Sequence, residues 1–322
     1  MVPAGDSGHD DARRPGTPRG GAAVRARRAT GRAPGEPRNV AWLYLLPGVA
    51  FFGLFTLAPL LHAGWLSFFD WDGLTPKRFV GLDNYTTALS DPDVRAAFEH
   101  SAKLVIFYAV VPVVLGLILA GVLTRHPVRG MTFFRTALFL PQTIAGVVVA
   151  QAFVWFYQLD GPFNRFFSLI GLGSLRRGWL GDFDWALTFV GTIGTWVTFG
   201  LCMVLFIAGT QKISTSLYDA ARVDGAGAVR EFFAVTLPGL RNELVVAFVL
   251  TTINALRSFD LIYNSTSGGP GNETYVPALL VFQNAFRYNK VGYSCAIAVM
   301  LAIVIFTVAT VINLLAERGG EG

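Results

Sequence analysis

From Ala41 to Phe69 the chain carries no Asp, Glu, Lys or Arg. A helix needs about 20 mostly apolar residues to cross the hydrocarbon layer of a bilayer. Only helices and closed barrels satisfy their backbone groups there. Five further stretches of that kind follow: 104–124 between Lys103 and Arg125, 136–159 between Arg135 and Asp160, 185–211 between Asp184 and Lys212, 244–264 interrupted by Arg257 and Asp260, and 291–316 between Lys290 and Glu317. Charged residues make up 15% of the chain, where a soluble domain carries about 25%. The expectation is an all-α membrane protein with six transmembrane helices, over about 41–66, 104–124, 136–159, 185–211, 244–264 and 291–316. Pro47, Pro59, Pro112 and Pro141 fall inside or at the ends of these spans, where neighbouring helices can satisfy the carbonyls a kink frees.

The net charge of +5 is concentrated. Eight basic residues lie between Arg13 and Arg38, in a Pro- and Gly-rich stretch without apolar periodicity. Residues 1–39 therefore read as a disordered tail. The first apolar run starts too far in and lasts too long for a cleaved signal peptide, so it reads as a retained span. With both termini inside, the inner segments hold sixteen Lys and Arg and the outer ones eight. That excess places both termini, including the short tail 317–322, in the cytoplasm. The basic residues are thus a topology signal and imply no nucleic-acid partner. Cys202 and Cys295 each sit inside an apolar span, and four scattered histidines form no HExxH pattern. Neither a disulfide framework nor a metal site is expected.

Between spans four and five, residues 212–241 form a loop with its own pattern. Ser214 or Ser216 can cap a short helix, with Asp219 in its early turns, where a carboxylate suits the helix dipole. Leu217, Ala220, Ala221 and Asp224 recur at spacings of three and four and share a face. The two alanines keep that face thin, allowing another surface to approach closely. Gly225 can take a positive φ and end the helix. A second helical segment then presents Phe232 and Phe233 before Pro238 breaks it. Exposed apolar side chains rimmed by charge point to docking on another protein.

The run Leu217-Tyr-Asp-Ala-Ala-Arg-Val-Asp-Gly-Ala226, followed by Phe232 and by Leu237-Pro238, resembles the EAA signature of bacterial ABC importer permeases. In that family the first position is usually Glu; Asp219 keeps the charge and loses one methylene. Phe259-Asp-Leu-Ile-Tyr-Asn-Ser-Thr-Ser-Gly-Gly-Pro270 is similar to the FD…GGP element of carbohydrate importer permeases, with Ser267 as a small departure. Phe79-Val-Gly-Leu-Asp-Asn-Tyr85, Arg135 through Gln142, Ala285-Phe286 and Gly292-Tyr293 continue the likeness, which covers roughly 40–316. The chain looks like the first-permease type of the maltose and glycerol-phosphate importers, in the bacterial inner membrane.

The resemblance implies the type I importer permease fold, with the loop as a cytoplasmic coupling helix gripped by an ATP-binding subunit. Leu217, Ala220, Ala221 and Phe232 would make the apolar contact, and Asp219 and Asp224 would orient it. Gly225, Ala226 and Pro238 would shape the turn and the exit. The implied partners are a second, distinct permease subunit, two ATP-binding subunits, an extracytoplasmic solute-binding protein, a sugar and membrane lipid. ATP and Mg would be bound by the partner ATPase, and no cofactor is expected in this chain. A phosphate-binding loop needs Gly-Lys followed by Ser or Thr; none of Lys77, Lys103, Lys212 and Lys290 follows Gly or precedes Ser or Thr.

Charges within a span are costly and mark a pathway. On span five Arg257, Asp260 and Asn264 share a side, with Tyr263 beside them, and Arg257 and Asp260, three apart, can pair. Span four offers Thr195 and Trp196, and span three Gln151 and Trp155. Hydrogen-bonding groups for hydroxyls and flat rings for C–H faces suit a sugar. Inter-helix packing is the competing use of Thr and Gln. His100 and Lys103 are expected at the interface. The same architecture could serve glycerol phosphate, an amino acid or a polyamine. A membrane-embedded enzyme would need clustered His, Asp or Glu within the spans, and no such cluster is seen.

Overall fold

The computed structural model describes residues 40–125 and 130–318. The expected disordered tail over 1–39 lies outside them, as do residues 319–322. The chain divides into two units, Met1–Phe55 and Thr56–Gly322, each taken by itself.

In the first unit the described part is α1 (Val40–Phe52), with Pro47 inside it, running into a wide turn that begins at Gly53. Its large apolar side chains, among them Trp42, Phe51 and Leu54, are exposed. A helix apolar all round is at home in lipid or against other helices.

The second unit opens with α2 (Ala58–Leu66). A two-residue ribbon follows, β1 (Phe69–Asp70) antiparallel to β2 (Arg78–Phe79), with Phe69 opposite Phe79 and Asp70 opposite Arg78. Next come α3 (Asp83–Ser90) and α4 (Pro92–Val105). Asp91 caps α4 by accepting from the Asp93 N–H at 2.9 Å, and Pro92 takes the first-turn place where no N–H is needed. A wide turn over Ile106–Val110 joins α4 to α5 (Val111–Arg125). Then follow α6 (Met131–Phe139), α7 (Gly146–Tyr157), α8 (Pro162–Leu169) and α9 (Ala186–Thr210). The loop carries α10 (Thr215–Val223), α11 (Ala228–Glu231) and α12 (Leu237–Gly239). The chain closes with α13 (Arg241–Leu256), α14 (Asp260–Ser265), α15 (Pro277–Phe286) and α16 (Val291–Arg318).

Four runs are long and apolar enough to cross a membrane: Tyr44–Leu66, Pro92–Leu123, Ala186–Thr210 and Val291–Glu317. Two bent pairs, Met131–Thr143 with Gly146–Leu169 and Ala228–Gly239 with Arg241–Leu256, bring the number to six when each counts as one span.

The helices expected over 136–159 and 244–264 are each interrupted within the span. Over 136–159 the chain bends by 98°. Pro141 sits in a tight turn, Leu140–Thr143, and Ile144 is extended at ψ 137°. Over 244–264 the helix stops at Leu256 and resumes at Asp260. Phe259 takes φ −129°, ψ −56°, and the Ser258 hydroxyl lies 3.2 Å from the Tyr108 hydroxyl in the buried interior. A tertiary hydrogen bond thus accompanies the break.

The core forms where α4 and α5 pack on α9. Leu104, Tyr108, Val190, Ile193, Ala255, Ile262 and Leu279 make one buried cluster, and Val113, Cys202, Met203, Phe206 and Leu240 another. Close approach depends on small residues: a Cβ on Gly194 would stand 2.0 Å from the Tyr108 ring. His100, expected at the interface, is 7% exposed, with Nδ1 3.0 Å from the Tyr275 carbonyl oxygen.

Candidate functional site

The loop after α9 is built as a capped helix and a turn. Ser214 is the N-cap of α10, its hydroxyl accepting from the Ser216 N–H at 3.4 Å. At the other end Gly225 takes φ +75°. Its N–H donates to the Arg222 carbonyl at 3.0 Å, and the Ala226 N–H donates to the Ala221 carbonyl at 2.9 Å. These two bonds close the helix in the Schellman arrangement, which requires a left-handed residue at that place. No heavy atom lies within 4 Å of a Cβ built on Gly225, so its backbone angle alone favours glycine there.

Arg222 ties the two halves of the loop together. Its Nη1 lies 3.4 Å from Asp219 Oδ1 and its Nε donates to Glu231 Oε2 at 3.3 Å. The Glu231 side chain is only 5% exposed. The Tyr218 hydroxyl reaches the Thr236 hydroxyl at 3.3 Å. Asp219 therefore faces a partner on its own helix, while Asp224 ends α10 as its C-cap.

Leu217 is 54% exposed, and Ala220 stands open beside it, with Ala221 half-buried. Phe233, expected at the surface, is exposed there, and two large apolar side chains that the sequence pattern did not single out join them: Val223 (87% exposed) and Val229. Phe232 is half-buried and lines one groove with Val229 and Phe233. A Cβ on Gly121 of α5 would stand 3.2 Å from its ring. Phe232 thus packs on its own membrane helix, beside a groove of about 470 Å³ bounded by Ile118, Val122 and Val229. Pro238 is exposed in α12, before the chain re-enters the bundle. The loop surface is held to the helices by Lys212 on Glu243 at 2.8 Å and by the Arg241 guanidinium on the Ala316 carbonyl.

The path residues divide. Gln151 Nε2 donates to the Asn264 carbonyl at 2.8 Å, and Asn264 Nδ2 donates to the Asp260 carbonyl at 2.8 Å. Gly146, at the start of α7, lies against Asp260: a Cβ there would be 3.4 Å from the Asp260 Cβ. The breaks in spans three and five are therefore neighbours. Irregular backbone at membrane depth is tolerated where protein buries it or where it lines a wet cavity.

Tyr263 stacks on Phe259 at 5.2 Å and meets Phe282 at 5.1 Å. Trp196 packs edge-on to Phe153 at 5.3 Å, and Trp155 is 62% exposed. Thr195 is used in packing, its hydroxyl donating to the Phe107 carbonyl at 2.6 Å. The expected Arg257–Asp260 pair is not formed. Arg257 caps the end of α13 and Asp260 begins α14, so the two no longer share a helix face. Both are exposed, and among the described residues Arg257 has no ion-pair partner.

At the opposite end of α4–α5 the Gly-Gly-Pro element folds into a compact turn. The Thr266 and Thr274 hydroxyls lie 2.7 Å apart, Thr274 donates to the Gly269 carbonyl at 2.9 Å, and Asn272 Nδ2 donates to Asp93 Oδ1 at 2.9 Å. Among the described residues no three His, Cys, Asp or Glu side chains gather as a metal site would need.

Residues 113–318 match the model of the family described as binding-protein-dependent transport system inner membrane component. The chain is 36% identical to a probable ABC transporter permease protein, YurN, of Bacillus subtilis, over 84% of this chain and 93% of that one. It is 31% identical to the permease protein MsmF of the multiple sugar-binding transport system of Streptococcus mutans, over 82% and 90%. Its fold superposes on a chain of the crystal structure of a bacterial alginate ABC transporter in complex with an alginate pentasaccharide-bound periplasmic protein. That likeness has TM-score 0.75, 22% identity, and coverage of 87% of this chain and 94% of the other. A helical bundle with an exposed, turn-locked loop, matched over most of its length by such relatives, belongs to the family of binding-protein-dependent transport inner membrane components, the permease subunits of ABC importers.

Proposed function

We propose that this permease imports a sugar or oligosaccharide. The observation that carries the reading is the 31% identity, over 82% of the chain, to a multiple-sugar permease. The hydrogen-bonding set Gln151, Asn264 and Asp260 beside Trp155 and Tyr263 supports it, because sugars take polar partners for hydroxyls and flat faces for C–H surfaces. A solute-binding protein outside delivers the cargo, and a second, distinct permease chain completes the channel. The two meeting helix breaks form the solute path, opened to each side of the membrane in turn.

The loop over 212–241 serves as the handle of a motor. Two cytosolic ATP-binding subunits bind ATP and Mg, and one grips the surface formed by Leu217, Ala220, Ala221, Val223 and Phe233. Asp219, held by Arg222, and Asp224 at the helix end orient that contact. Gly225 and Ala226 fix the turn, and Pro238 returns the chain to the bundle. Phe232 passes the motion inward through α5. On this reading the loop, and with it both termini, faces the cytoplasm.

Uptake of labelled sugars by cells lacking this chain tests the cargo. Loss of uptake of one sugar, restored by the gene on a plasmid, is the expected outcome. Unchanged uptake of every sugar, with loss of glycerol phosphate, amino acid or polyamine uptake, would reassign the solute.

A further inference from the structure

A polar cavity lies far from the coupling loop. Counted along the continuous helix from Asp93 to Gly121, about 28 residues at 1.5 Å each, it is roughly 42 Å from the groove that holds Phe232. Its volume is about 440 Å³, inside the roughly 300–1,000 Å³ range of small-molecule sites. Asp91, Asp93, Tyr275, Gln283, Tyr288 and Lys290 line it.

Two features mark it as built for a ligand. The carboxylates are held in place from behind: Asp91 accepts from the Tyr293 hydroxyl at 2.8 Å and from the Asp93 N–H at 2.9 Å, while Asp93 accepts from Asn272 at 2.9 Å. Gln283 is 3% exposed, and its Oε1 has no hydrogen-bond partner. A buried amide oxygen left unpaired costs about 1–3 kcal/mol, and a bound molecule supplying an O–H or N–H removes that cost. Two carboxylates and one ammonium leave only a modest local charge, so a strongly charged guest is not called for. Carboxylates and amides that accept from hydroxyls, an ammonium that donates to them, and two tyrosine rings that can face C–H surfaces make one consistent set.

We infer that this cavity is an accessory saccharide site at the end of the permease remote from the motor, binding one neutral sugar unit before it enters the path at Gln151 and Asn264. The inference rests on the sugar-import reading and names a site separate from that path. Its place in the fold suits a staging post: Asp93 is tied to the Gly-Gly-Pro turn through Asn272, and that turn continues from α14, which carries Asn264.

The test uses the whole permease in lipid nanodiscs and saturation-transfer NMR against maltose, sucrose, lactose, trehalose and cellobiose. At least one of the five receives saturation. Gln283→Leu and Asp93→Asn each weaken that contact about fivefold, as loss of one hydrogen bond to the ligand does. Asn264→Ala leaves the outer contact in place. Unchanged thermal unfolding of Gln283→Leu and Asp93→Asn separates lost binding from lost fold; if both unfold early, Tyr288→Leu at the exposed rim replaces them with the same expected loss. Saturation abolished by Asn264→Ala and unaffected by the outer variants would overturn the inference and leave the import reading standing. Saturation of none of the five sugars would also overturn it, while cellular uptake reports independently on import.

Discussion

Replacing Gly225 by valine puts the coupling loop under a defined strain. The residue sits at φ +75°, where an L-residue costs roughly 1–2 kcal/mol, and a β-branched one is the least tolerated. Nothing lies within 4 Å of the new Cβ, so the penalty is conformational and owes nothing to a clash. Two hydrogen bonds, from Gly225 to Arg222 and from Ala226 to Ala221, are lost if the turn relaxes. One or two kcal/mol shifts a local equilibrium by about 5- to 30-fold. In the reconstituted importer, Gly225→Val is expected to lower uptake by about that factor while ATP is still hydrolysed, because α10 and the Phe232 segment no longer move as one piece. Gly225→Asn is the control: asparagine visits the left-handed region readily, so its uptake should stay near that of the parent. Parental uptake in Gly225→Val, or equal damage from both substitutions, would refute the reasoning.

Three further outcomes follow from single contacts. Arg222→Ala removes the link between Asp219 and the buried Glu231 and should loosen α10 by about 1 kcal/mol, Arg222 being largely exposed; faster amide exchange over 215–231 is the readout. Gly194→Val drives a branched side chain into the Tyr108 ring and should cost about 1–3 kcal/mol or more, seen as a lower melting temperature in detergent. Gln151→Leu deletes the donor to the Asn264 carbonyl and should raise KM for uptake a few-fold at equal protein level, about one neutral hydrogen bond's worth.

The apolar runs, the loop and its turn were legible because each depends on local sequence. Ser214 caps, Gly225 turns and the alanines thin a face through neighbours within a few positions. The breaks were harder to read. Pro141 marks one of them, yet a proline in a span more often bends a helix slightly than turns it by 98°. The break at 257–259 has no proline or glycine, and the Ser258–Tyr108 contact that accompanies it joins residues 150 apart in sequence. The packing of Phe232 against Gly121 could not be read for the same reason, since the two lie on different helices. Only the fold shows that the Thr195 hydroxyl donates to the Phe107 carbonyl, 88 residues away. Position 283 reads simply as a polar residue within an apolar stretch, and only the fold reveals that its amide oxygen is buried and unpaired.

The grip of a cytosolic ATPase on the 212–241 loop is tested most directly by photo-crosslinking from position 217 in intact cells. With a benzophenone side chain replacing Leu217, the ATP-binding subunit should be captured in one dominant adduct, and the same probe at Leu169 should not capture it. Adducts formed at 217 only with an extracytoplasmic protein would contradict the account.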